Sequence, residues 1–157
     1  MTTPEFVLAL REKIGTAPLP LVGVTAIVFR DEKVLLGKRA DNGEWQAVSG
    51  IVEPGEEPAD TAARECLEEA GVVVRATRLA AVQQVPRIVY ANGDQVDYLD
   101  LVFRCSWVSG DPHPADGELT DVGFYDLGQM IDVAPEHVRE HVLAVAEDGP
   151  ATFRGGR

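Results

Sequence analysis

Between Gly50 and Val72 the chain runs GIVEPGEEPADTAARECLEEAGV, and no other stretch restricts its folding as tightly. A Gly/Pro-rich acidic turn leads to Pro58, small and apolar residues then recur at helical spacing, and Gly71 stops the run. At about 100° per residue, Ala59, Ala62, Ala63, Cys66, Leu67 and Ala70 fall on one side of the wheel. Thr61, Arg64, Glu65, Glu68 and Glu69 fall on the other. Alanines on the first side let a helix lie close against a sheet. The second side crowds carboxylates three and four residues apart, each pair costing about 0.2–0.5 kcal/mol when exposed and more when desolvated. A hard divalent cation held by oxygen ligands, Mg2+ or Mn2+, offsets that repulsion. Taken alone, the glutamates describe a solvated charged helix face at least as well.

The 157 residues, 45% of them hydrophobic, suffice for one domain with its own core. A net charge of −12 disfavours nucleic-acid polymers and anionic membranes as partners. A small anionic substrate stays compatible with that charge where bound metal inverts the local field. Cys66 and Cys105 form no disulfide framework, and the apolar run Phe6 to Leu10 is too short for a signal peptide or a span. These features lead us to expect a cytoplasmic protein with reduced thiols.

Thr3-Pro4-Glu5, read as N-cap, first-turn proline and acid, begins a helix expected over 4–14, with Phe6, Val7, Leu10 and Ile14 on its apolar stripe. That stripe must cover its own sheet or that of a second subunit, so a homodimer is one expectation. Strand character over 22–29 and 34–36 makes a hairpin, and Asn42-Gly43 marks a turn before Trp45. Further strands are expected over 72–74, 79–85, 88–90, 95–107 and 118–126, with a turn at Asn92-Gly93, followed by a helix over 135–147. The expected division is an N-terminal helix over 1–15, a main domain over 16–147 and a frayed tail over 148–157. The fold class is α+β, a layered sandwich. His137 and His141 stand at i, i+4, a zinc-compatible spacing, but without a third ligand they read as ordinary helix residues. Cys66 reads as a small core residue whose acidic neighbours oppose thiolate formation.

The offsets complete the picture. Gly50, five residues, Glu56, seven residues, then Arg64-Glu65-Cys66-Leu67-Glu68-Glu69-Ala70-Gly71-Val72 resembles the signature box of the Nudix hydrolases. Seven identities at roughly 7% usage each would coincide about once in 10⁸ trials. The chain departs from the family pattern at Cys66, where a branched aliphatic is usual, and at Ser49-Gly50, where many members have Gly-Gly.

The resemblance implies an α/β/α sandwich with a mixed sheet and the box helix packed on it. It also implies Mg2+- or Mn2+-dependent hydrolysis of a diphosphate bond in a nucleoside diphosphate linked to another moiety, such as ADP-ribose or another NDP-sugar. By resemblance Glu65, Glu68 and Glu69 ligate metal together with the Ser49 carbonyl, Arg64 orients a box glutamate, and Glu56 partners Arg64. Family members differ over the general base, and Glu118 stands where some recruit a late-loop carboxylate; Asp121 is a weaker candidate. Pro86 lies near the place where ADP-sugar pyrophosphatases of the family carry a proline, although Arg87 replaces the glycine that follows it there. Arg39, Trp45, Arg87 and Tyr90 are candidate substrate contacts, by phosphate pairing or base stacking. Two other readings accompany this one: a MutT-like (d)NTP pyrophosphohydrolase, and a non-catalytic nucleotide-binding regulatory module. The intact box carboxylates weigh against the second, since a pure binder has no need of them.

Overall fold

A computed structural model describes residues 3–156. Residues 1, 2 and 157, which end the expected N-terminal segment and tail, lie outside the described residues, as does the side chain of Ile131. In chain order the elements are α1 (Glu5–Ile14), β1 (Leu19–Arg30), β2 (Lys33–Arg39), β3 (Trp45–Gln46), β4 (Val48–Ile51), α2 (Pro58–Ala70), β5 (Val73–Gln84), β6 (Ile88–Val89), β7 (Gln95–Ser109), β8 (Leu119–Asp126), α3 (Leu127–Val133), α4 (Glu136–Ala146) and β9 (Thr152–Phe153). Among the described residues no helix is long and apolar enough to cross a membrane.

The strands form a mixed sheet in the order β3-β2-β1-β7-β5-β9, with β4 joined to β1, β6 to β7 and β8 to β2. β1 and β7 run parallel, Gly23 beside Asp100 and Thr25 beside Val102, while β1 is antiparallel to β4, Val24 beside Gly50. Strand alternation sorts the core into layers. Val24, Ala26 and Val28 face α2, where they pack with Val48, Ala62, Cys66 and Ala70. Ile27, Val34, Leu36 and Val102 face the opposite side, against Met130, Val138 and Val142 of α3 and α4. The result is the expected α/β/α sandwich.

Four local expectations need correction. α1 starts at Glu5 with Pro4 as N-cap and no side-chain cap, so Thr3 does not fill that role. Val7 of α1 packs with Leu21, Ile51 and Tyr98 of its own domain, leaving Leu8, Leu10 and Ile14 at 53%, 40% and 39% exposure. α3, seven residues with Gly128 inside it, has too short a pattern to register as a helix; burial of Met130 and Ala134 holds it. The tail is not frayed throughout: Thr152 and Phe153 pair in parallel with Ala81 and Val82. Arg78 also donates hydrogen bonds to the carbonyls of Val145, Glu147 and Gly149, anchoring the chain that leads there.

The fourth correction concerns α2. The wheel put Leu67 on the packed side and the acids on the open one, but Leu67 is 52% exposed while Glu65 and Glu69 are 7% and 4% exposed. The helix rests on β4 as well as on β5, and the 110–117 loop folds over its C-terminal end. His113 N–H donates to the Ala70 carbonyl and Ala115 N–H to that of Glu69. Gly71 closes the helix at φ 68°, where an L side chain is disfavoured and where the His113 ring occupies the space of a Cβ.

Candidate active site

Arg64 organises the acidic side of α2. Its Nε and Nη2 donate to Glu56 Oε1 and Oε2 at 2.8 and 3.0 Å, a bidentate pair. Nη1 donates to Glu65 Oε1 at 2.9 Å and Glu68 Oε2 at 3.1 Å. Glu56 is itself held by the Glu53 N–H, which donates to Oε2 at 3.2 Å. The Arg64 guanidinium lowers the Glu56 pKa to about 2. One cation thus ties the turn before α2 to two of the helix carboxylates.

Glu65 and Glu69 sit in the seam between α2 and the sheet. Burial raises the pKa of Glu65, with Arg64 opposing, and burial together with the Glu65 charge pushes Glu69 up to about 7. Gly50 of β4 makes room for this: a Cβ there would lie 2.2 Å from the Glu65 carboxyl carbon. Glu68, by contrast, keeps about half of its side chain in solvent. Glu65 and Glu68 line a cleft of about 280 Å³ with Arg64, Glu53, Asp116 and Glu118. The backbone N–H of Glu118 donates to Asp116 Oδ1 at 3.0 Å, and its carbonyl accepts from Ala40 N–H, which sets the late loop beside the box.

Among the described residues no three His, Cys, Asp or Glu side chains converge as ready metal ligands, and Arg64 donates to both Glu65 and Glu68. The donor set nonetheless suits a hard cation: oxygen ligands only, two of them desolvated and reluctant to ionise without a neutralising charge. His137 and His141 are no part of it. His141 is partly buried on α4, where burial lowers its pKa. Both thiols are buried and shifted up, Cys105 to about 12, which makes them inert core groups.

The remaining sequence candidates separate. Ser49, Arg39 and Tyr90 line a second cavity, of about 440 Å³, that adjoins Gly50. Arg39 is also bonded to Asp41, with Nε 2.6 Å from Oδ1. Trp45 lines neither cavity; it packs edge-on against Tyr125 at 5.1 Å between ring centroids, the geometry of a hydrophobic wedge. Arg87 also lies outside both, in an exposed bidentate pair with Asp97 at 2.9 and 2.8 Å. Sequence reasoning passed over Asp100, a buried carboxylate lining the second cavity. The signal was present: an aspartate inside the apolar run Tyr98 to Phe103.

Comparison with known proteins agrees with this geometry. The family model for the NUDIX domain matches residues 19–145. A "MutT-like protein" from Streptomyces ambofaciens is 32% identical over 147 residues, covering 83% of this chain and 89% of its own. An "ADP-ribose pyrophosphatase" from Methanocaldococcus jannaschii is 28% identical, covering 75% and 69%. Among solved structures, a NUDIX hydrolase from Nitrosomonas europaea superposes with a TM-score of 0.65 at 26% identity, over 86% of this chain and 80% of that one. With the box residues assembled on α2 and β4 in the arrangement described, this chain belongs to the Nudix hydrolase family.

Proposed function

We propose that this enzyme hydrolyses the diphosphate bond of a nucleoside diphosphate linked to another moiety, ADP-ribose or another NDP-sugar being the leading class. The observation that carries the reading is the close approach of Gly50, on the wall of one cavity, to the Glu65 carboxyl, on the wall of the other. Glu65 and Glu68 line the second of these, and the first, beginning at Ser49 and Gly50, has apolar and polar walls fit for a nucleoside. The ADP-ribose pyrophosphatase relative supports the substrate class.

Glu65, Glu68 and Glu69, with the Ser49 carbonyl, would hold Mg2+ or Mn2+. When bound, such an ion neutralises charge on the non-bridging phosphate oxygens and polarises a water. Arg64 keeps Glu65 and Glu68 oriented through its bond to Glu56. Glu118, which lines the cleft, would accept the proton of the attacking water, with a box glutamate as the other candidate. Arg39 and Tyr90, at the nucleoside cavity, are the substrate contacts we retain. Free buried thiols and the acidic surface accord with a cytoplasmic setting.

The MutT-like relative favours one second reading, a (d)NTP pyrophosphohydrolase. Both are tested by turnover of ADP-ribose, other NDP-sugars and nucleoside triphosphates with Mg2+ or Mn2+. Release of a nucleoside monophosphate and a sugar phosphate supports the first, pyrophosphate from triphosphates supports the second, and no turnover of any of these substrates overturns both.

A further inference from the structure

Thr61, Glu65, Glu69 and Asp100 are the buried polar side chains among the described residues. The first three belong to α2 and its acidic site; Asp100 lies outside that helix, on β7, and is 7% exposed. Its carboxylate lines the 440 Å³ cavity. Thr25 Oγ1 stands 3.1 Å from Oδ1 and 2.9 Å from Oδ2 and has one hydrogen to give, while Gln83 Nε2 donates to Oδ2 at 3.1 Å. Among the described residues no arginine, lysine or histidine forms an ion pair with it.

An ionised carboxylate offers about four acceptor positions, and these donors fill two. The remaining positions face the cavity, so a ligand that brings two adjacent donors matches them. Gly23, beside Asp100 in the β1–β7 register, puts no side chain next to Oδ1; a Cβ there would sit in ordinary contact with it, at 3.6 Å. Val85, Ile88, Tyr90 and Tyr98 supply an apolar and aromatic wall suited to a flat ring, while Arg39, Asn42, Gln46 and Ser49 make the remaining wall polar.

Among the common bases, guanine presents an imino N–H and an amino group side by side. Adenine and cytosine set one amino group beside an acceptor nitrogen, and uracil flanks its N–H with two carbonyls that would confront the carboxylate. We infer that Asp100 is a specificity-determining residue that accepts hydrogen bonds from the N1–H and N2 amino edge of a guanine base, which, within the nucleoside cavity of the proposed function on which this rests, selects guanosine diphosphate derivatives over ADP-ribose among the NDP-linked substrates.

The test is equilibrium binding by titration calorimetry on the full chain with GMP, IMP, AMP, UMP and 2′,3′-dideoxy-GMP, for wild type and Asp100→Asn. GMP should bind wild type about tenfold or more tighter than IMP, which lacks the amino group, and UMP should be weaker still. Dideoxy-GMP should stay within about threefold of GMP, and Asp100→Asn should bring GMP and IMP within about threefold of each other. Equal affinity of wild type for GMP and IMP overturns the inference without recourse to any variant. Loss of affinity with dideoxy-GMP but not IMP also overturns it, by assigning Asp100 to the ribose hydroxyls. Binding is read apart from turnover. A protein that prefers guanine through Asp100 but hydrolyses no diphosphate overturns the proposed reaction alone, and one that hydrolyses diphosphates with no base preference overturns only this assignment.

Discussion

The Glu65 carboxyl occupies the space a side chain on Gly50 would need, with 2.2 Å between its carbon and a Cβ built on residue 50. Strand β4 and helix α2 therefore meet through a glycine and a glutamate that cannot be varied independently. Gly50→Ala should displace Glu65, lower kcat by about 100-fold or more and destabilise the fold by about 1–3 kcal/mol. Steady-state kinetics and denaturant unfolding check both, and wild-type values in both would remove the steric coupling.

The two most C-terminal box glutamates should respond differently to neutralisation. Glu68→Gln and Glu69→Gln should each abolish turnover. In EDTA, Glu69→Gln should melt at or above the wild-type temperature, because a buried carboxyl pushed up to about 7 is replaced by a neutral amide. Glu68 is about half exposed, so its variant should stay within about 0.5 kcal/mol of wild type. Thermal melts with and without Mg2+ check this; a Glu69→Gln variant that is much less stable in EDTA would contradict it.

The Arg64–Glu56 pair has a definite acid dependence. Glu56 drops from an ordinary 4.5 to about 2 in the folded protein, so its stabilising contribution is complete above pH 4.5 and is lost as pH falls through about 2. Glu56→Gln should cost about 1–2 kcal/mol at pH 7, and the gap from wild type should close between pH 4.5 and 2. Urea unfolding across that range is the measurement, and a gap that widens toward acid would reverse the sign.

Arg64→Lys keeps the charge but cannot serve Glu56 bidentately while also reaching Glu65 and Glu68. We expect kcat to fall by about 10–100-fold with KM changed less than threefold, since Arg64 acts on the glutamates. A rise in KM at constant kcat would instead place Arg64 on the substrate.

Glu118→Gln should reduce kcat by about 100-fold and remove the acidic limb of the pH–rate profile if this residue accepts the water proton. A variant with wild-type kcat transfers that role to the box.

The sequence by itself determined the family, the reaction type and the local elements that carry it. The spacing of Gly50, Glu56, Arg64 and the three glutamates is local, and a single helix with its preceding turn needs nothing distant to display it. Tertiary structure decided which face of that helix is covered. A wheel counts hydrophobicity, and it assigned Leu67 inward and Glu69 outward; β4 and the loop bearing His113 and Ala115, remote in sequence or bent back on the chain, reversed that. The same holds for Trp45, placed against Tyr125 by the pairing of β2 with both β3 and β8, and for the tail, anchored by Arg78. Asp100 shows the limit most plainly. Whether an aspartate in a strand is solvated or stands as a desolvated acceptor in a cavity depends on Thr25 of one neighbouring strand and Gln83 of the other, contacts that exist only once the sheet has formed.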